Sequence, residues 1–64
     1  MKVREVVELV EADGWVFARQ RGSHRIFIHA IKPGTVTIAG NLGQEVKRGT
    51  LSSILRQAGL KGTR

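Results

Sequence analysis

The 64 residues contain no cysteine, no tyrosine, a single proline and only three aromatic side chains, Trp15, Phe17 and Phe27. Without cysteine there is neither a disulfide framework to compensate for a small core nor a thiolate metal site, and redox chemistry gives no sign of compartment. No apolar run approaches the roughly 20 residues of a membrane span. Glu5 and Glu8 interrupt the amino-terminal stretch where a signal peptide would be continuously apolar, so a cytoplasmic chain with no membrane contact is expected. So short a chain is expected to form one domain, residues 1–64, which buries only about 60% of its unfolded surface and has little room for a deep catalytic cleft. Acidic side chains are also scarce. Five Asp and Glu stand against eleven Lys and Arg, a formal charge of +6. That surplus favours a polyanionic partner, nucleic acid before membrane, although plain solubility accounts for charge as well.

What is present is periodic. Val3, Val6, Val7 and Val10 recur at helical spacing within residues 2–13, with Arg4, Glu5, Glu8 and Glu11 between them, which predicts an amphipathic helix with one apolar stripe. Valine is a poor helix former because χ1 loses its freedom against the preceding turn, so packing must hold this segment. Asp13-Gly14 ends it. Residues 15–21 and 24–30 are rich in aromatic and β-branched side chains and are separated by Gly22-Ser23, the pattern of a β-hairpin in which Gly22 takes the positive φ of the turn. With those two residues as the loop, Arg21 pairs with His24, Arg19 with Ile26 and Phe17 with Ile28. Trp15, Phe17, Ile26 and Ile28 then share the expected core face, and a slip of one residue would reverse it.

Lys32-Pro33-Gly34 reads as a turn, and residues 35–39 alternate as a third strand. Residues 40–49 have little periodicity and read as a loop that ends in a second basic cluster, Lys47 and Arg48. Thr50 is the expected N-cap of a last helix carrying Leu51, Ile54, Leu55 and Ala58, with Gly59-Leu60 as a Schellman end and a frayed tail at 61–64. The expected architecture is therefore α+β in two layers, α-β-β-β-α, with a three-stranded antiparallel sheet and both helices on one face.

The candidate chemistry lies at the hairpin. His24 opens the second strand within five positions of Arg19, Arg21 and Arg25, cations that would attract a phosphate. A lone His beside Arg is more often a solvated surface residue than a catalyst. A second anion site is expected at the amino end of the last helix, where free N–H groups and Lys47 and Arg48 converge, although helix capping by Thr50 explains the same residues without a ligand.

Three stretches carry a family resemblance: Asp13-Gly14-Trp15; residues 19–27, with Arg19, Gly22, Ser23, His24 and Arg25; and residues 47–60. Over nearly its whole length the chain resembles the HicA-type, or YcfA-like, messenger-RNA interferase toxins. The resemblance implies the fold of double-stranded-RNA-binding domains and a metal-independent endoribonuclease without cofactor. It makes His24 the catalytic residue and implies a HicB-type antitoxin that covers the active site. Arg19, Arg21, Ser23, Arg25, Lys47 and Arg48 are then expected to hold RNA, with Gly22 as the structural turn. Two positions depart from the family pattern: Arg25 stands where many members have a second His, and Ala39-Gly40-Asn41 where many have Pro and His. His29, the only other imidazole, is expected to face away from His24 and to be structural. The alternative is a non-catalytic RNA-binding module of the same fold. Self-association as a homo-oligomer stays open at this level.

Overall fold

The computed structural model describes residues 1–60. In chain order these form helix α1 (Val3–Ala12), strands β1 (Trp15–Arg21), β2 (His24–His29) and β3 (Val36–Ala39), and helix α2 (Arg48–Gln57). The strands make one antiparallel sheet in the order β1-β2-β3, giving the expected α+β arrangement.

The valine stripe of α1 is its buried face: Val3, Val6 and Val10 are fully enclosed and Val7 packs at their margin. Its two ends are closed locally. The carboxylate of Glu5 accepts the Lys2 N–H at 2.6 Å, and beyond the Asp13 C-cap the Gly14 N–H donates back to the Glu11 carbonyl at 3.0 Å. Gly14 has φ +101°, so the chain turns straight into β1 through a conformation that side chains with a Cβ avoid. One core joins the two layers. Trp15, Phe27, Val36 and Ile38 from the sheet meet Val3, Val6 and Val10 of α1 and Ile54 and Ala58 at α2.

The hairpin pairs as expected at its tip, Arg21 with His24 and Arg19 with Ile26, and then departs. The register shifts between Phe17 and Arg19, so that Phe17 lies opposite Phe27, Val16 opposite Ile28 and Trp15 opposite His29. Ala18 is the extra residue of a β-bulge. The expected core face of Trp15, Phe17, Ile26 and Ile28 is therefore corrected. Phe27 is buried at 1% exposure in place of Ile28, which is 48% exposed, and Phe17 is half-open at the sheet edge. The physical reason lies in the alternation of β2. Burying the larger Phe27 puts Arg25 and His29 on the covered side and Ile26 and Ile28 on the other, and the bulge lets Trp15 stay inside as well. Across the pair, Phe17 and Phe27 meet edge to face with ring centroids 6.0 Å apart, and Trp15 and His29 do so at 5.1 Å.

Helix α2 starts earlier than expected. Lys47 is its N-cap, without any side-chain cap bond, and the Leu51 N–H donates to the Lys47 carbonyl at 2.9 Å. Thr50 thus sits inside the first turn rather than capping it. The cause is tertiary: the loop before α2 is bonded to the start of the chain, with the Val46 N–H donating to the Met1 carbonyl and the Val3 N–H to the Gln44 carbonyl. At the far end the Leu60 N–H bonds the Leu55 carbonyl and the Gly59 N–H the Arg56 carbonyl, the paired bonds of a Schellman motif. The tail expected to fray, residues 61–64, lies outside the described residues. No helix among the described residues is long and apolar enough to cross a membrane.

Candidate active site

Gly22 sets the geometry of the site. It has φ +59°, and among the described residues no non-glycine residue takes a positive φ, so Ser23 does not. That succession of signs is the pattern of a type II′ turn, whose twist suits two antiparallel strands and brings His24 directly opposite Arg21. The Gln20 side chain braces the turn by donating to the Gly22 carbonyl at 2.8 Å. On the other side the Gly40 N–H donates to the Ser23 carbonyl at 3.1 Å, tying the hairpin tip to the end of β3.

His24 pairs with Arg21 on one side and Ala39 on the other, so it stands on the sheet face opposite the helices. It is exposed, and its imidazole has no hydrogen-bond partner among the described residues. Arg19 lies on the same face one pair further on, opposite Ile26. This places Arg19, Arg21 and His24 together, as the alternation of the strands requires. Arg25 is different. It faces the covered side, half-buried, and donates to the Gly40 carbonyl at 2.7 Å. Arg25 and Ser23 therefore hold the two ends of the Gly40 peptide groups, and the guanidinium fixes the corner beside the turn.

Of the second basic cluster, Lys47 comes to the hairpin turn, while Arg48 does not line the space between them. Ser23, Ala39 and Gly40 line a depression of about 370 Å³ together with Lys47 and Thr50 at the start of α2. Separated by more than twenty residues in the chain, the hairpin turn and the α2 amino end thus border one space. Glu45 also lines it. Its carboxylate is bonded by the Met1 ammonium, which holds its pKa below the ordinary carboxylate value and balances its charge. Gln44 and Glu45 were not visible as site residues in the sequence. Their placement depends on the pairing of residues 1–3 with 44–46, which leaves no periodic signal.

His29 has a different fate from His24. Its Nδ1 accepts the N–H groups of Ile31 at 2.9 Å and Lys32 at 3.0 Å, which leaves Nε2 to donate to the Asp13 carbonyl at 2.8 Å. The ring is fully used in joining α1, β2 and the turn that follows. Among the described residues no group of three His, Cys, Asp or Glu side chains could hold a metal ion.

Residues 3–60 match the family model of the HicA toxin of bacterial toxin–antitoxin systems. No curated protein matches the chain.

Proposed function

From the premise that the chain belongs to the HicA toxin family of bacterial toxin–antitoxin systems, we propose that it is a metal-independent endoribonuclease that cuts messenger RNA with His24 as its single catalytic residue. The observation that carries this reading is the position of His24. An imidazole with no partner among the described residues stands beside Arg19 and Arg21, at the end of the fold where Ser23, Lys47 and Thr50 border one depression.

In this scheme Arg19, Arg21, Lys47 and Arg48 bind successive phosphates, and the free N–H groups at the start of α2 add to the same field. Ser23 offers a hydroxyl to an adjacent oxygen. Arg25 acts by holding the Gly40 corner against the turn. The ribose 2′-oxygen attacks the neighbouring phosphorus while its proton leaves, the bond from phosphorus to the 5′-oxygen breaks, and that oxygen takes up a proton. His24 carries one of these protons. The products are a 2′,3′-cyclic phosphate and a 5′-hydroxyl, and the arginines offset the charge that builds on the phosphate oxygens. One positioned acid or base contributes roughly 10² to 10⁴ in rate, which is enough for a toxin that need cut each message only once.

The test is cleavage of RNA by purified protein with and without EDTA, beside His24→Ala. Activity is expected to survive EDTA, and to fall by about 10² or more in the variant while RNA binding persists. A folded His24→Ala protein that cuts at the original rate rules out His24 as the catalytic residue, whereas unmodified protein that binds RNA without cutting it leaves a non-catalytic RNA-binding module.

A further inference from the structure

The depression beside the hairpin turn holds two side chains that phosphate binding leaves unused, Gln44 and Glu45. Both stand on a wall fixed by the start of the chain. The Gln44 carbonyl accepts the Val3 N–H at 2.9 Å, Glu45 pairs with Lys2, and the Val46 N–H donates to the Met1 carbonyl at 2.8 Å. The Gln44 amide is oriented as well. Its Oε1 accepts the Asn41 N–H at 3.3 Å and lies against Gly40, where a Cβ would come within 3.0 Å of it. The NH2 group is then a donor with no acceptor among the described residues.

Glu45 supplies the complementary chemistry. The Met1 ammonium bonds Oε2 and keeps the carboxylate ionised, so the group only accepts hydrogen bonds. Two oxygens offer about four acceptor positions, and one ammonium leaves most of them free. The space around these two side chains fits one flat ring. Its volume of about 370 Å³ is at the small end for ligand sites, and Val3, Ala39 and Val46 give it apolar sides. A phosphate fits poorly there, because the carboxylate repels it, and Arg19 and Arg21 stand outside on β1. An unstacked nucleobase fits better, since it takes apolar contact on its faces and hydrogen bonds on its edge. Guanine alone presents two adjacent donors on its Watson–Crick edge, N1–H and the N2 amino group, with the O6 acceptor beside them. Adenine and cytosine present one amino group beside a bare ring nitrogen, and uracil one N–H between two carbonyls.

We infer that the depression is a base-selecting subsite for an unstacked guanine, in which the Glu45 carboxylate accepts N1–H and N2–H and Gln44 Nε2 donates to O6. The inference rests on the ribonuclease reading above and adds a sequence preference to it. The guanine adjoins the cleaved bond, because Ser23 and Ala39, which line the depression, are the chain neighbour and the strand partner of His24.

The test uses the whole chain, unmodified and as Glu45→Gln, on single-stranded oligoribonucleotides that carry guanosine, adenosine, cytidine, uridine or inosine at one position. Inosine keeps O6 and N1–H and lacks the amino group. The unmodified protein is expected to cut beside guanosine with kcat/KM at least about tenfold above the other bases and above inosine. In Glu45→Gln the rates for guanosine and inosine are expected to lie within about twofold of each other. Each ratio is taken within one preparation and so does not depend on how much of a variant is folded. If Glu45→Gln does not fold at all, the inosine comparison in the unmodified protein decides alone. Equal cutting at guanosine and inosine, a preference for another base, or full discrimination retained by Glu45→Gln would each overturn the subsite while the nuclease reading stands. If the unmodified protein cuts none of the oligonucleotides, the nuclease reading falls, and fluorescence titration with the same set decides the subsite. An affinity about tenfold higher for guanosine than for inosine upholds it, and equal affinities overturn it.

Discussion

Single residues here are committed to one of two roles, and the two histidines illustrate the division. His29 uses both ring nitrogens on backbone groups and carries the joint between α1 and β2, whereas His24 spends neither on a partner among the described residues. Gly14 belongs to the same joint as His29. A Cβ there would come within 2.8 Å of His29 Nε2, and φ is +101°. Gly14→Ala is therefore expected to lower stability by more than the roughly 1 to 2 kcal/mol of a left-handed residue alone, because the ring must also move. Urea denaturation measures this, and a loss under about 0.5 kcal/mol would mean that the joint yields freely. At Gly22 a Cβ would meet nothing within 4 Å, so only the backbone term applies.

At the scale of elements, the β-bulge and the early start of α2 decide what the surface offers. The bulge at Ala18 keeps Trp15 and Phe27 inside together and so turns Ile26 and Ile28 outward. The start of α2 at Arg48 puts three residues, Arg48, Gly49 and Thr50, in a first turn whose N–H groups have no side-chain cap. If this turn meets RNA, Arg48→Ala should lower the slope of log affinity against log salt by about 0.7 to 0.9. Fluorescence titration at several salt concentrations reads that slope directly. An unchanged slope would place Arg48 outside the interface.

For the molecule as a whole, the core among the described residues consists of nine buried side chains, and stability at 64 residues amounts to only about 3 to 10 kcal/mol. A few ties between layers therefore matter. Lys32 Nζ bonds the Asp13 carboxylate at 2.5 Å and the Ala58 carbonyl at 3.0 Å, and Trp15 Nε1 donates to the same carbonyl at 3.3 Å. This joins the end of α1, the turn after β2 and the end of α2. The Lys32 hydrogen bond holds the Asp13 pKa below its ordinary 3.8. A depressed carboxylate contributes stability that is full above its unfolded pKa and is lost as pH falls through the folded value. The denaturation midpoint should therefore drop as pH falls from about 5 to 2, and drop less in Lys32→Met, which has already lost the tie. Parallel curves for the two proteins would show that the pair contributes nothing to the acid limb.

Read alone, the sequence determined the order α-β-β-β-α, the valine stripe of α1, the hairpin tip with Arg21 opposite His24, and the Schellman end at Gly59. Each follows from local chemistry, since hydrophobic period and turn residues act within a few positions of one another. It also singled out the family, and the residues proposed for the site. Tertiary structure alone decided which side of β2 is buried. Period-2 alternation offers Phe27 and Ile28 equally, and only packing against α1 and α2 selects the larger ring and introduces the bulge that this requires. Tertiary structure also brought Lys47 and Thr50 to Ser23, turned Arg25 away onto Gly40 and bonded residues 1–3 to the loop before α2. Those contacts span from 15 to more than 40 residues, and neither end carries a local pattern that names the other.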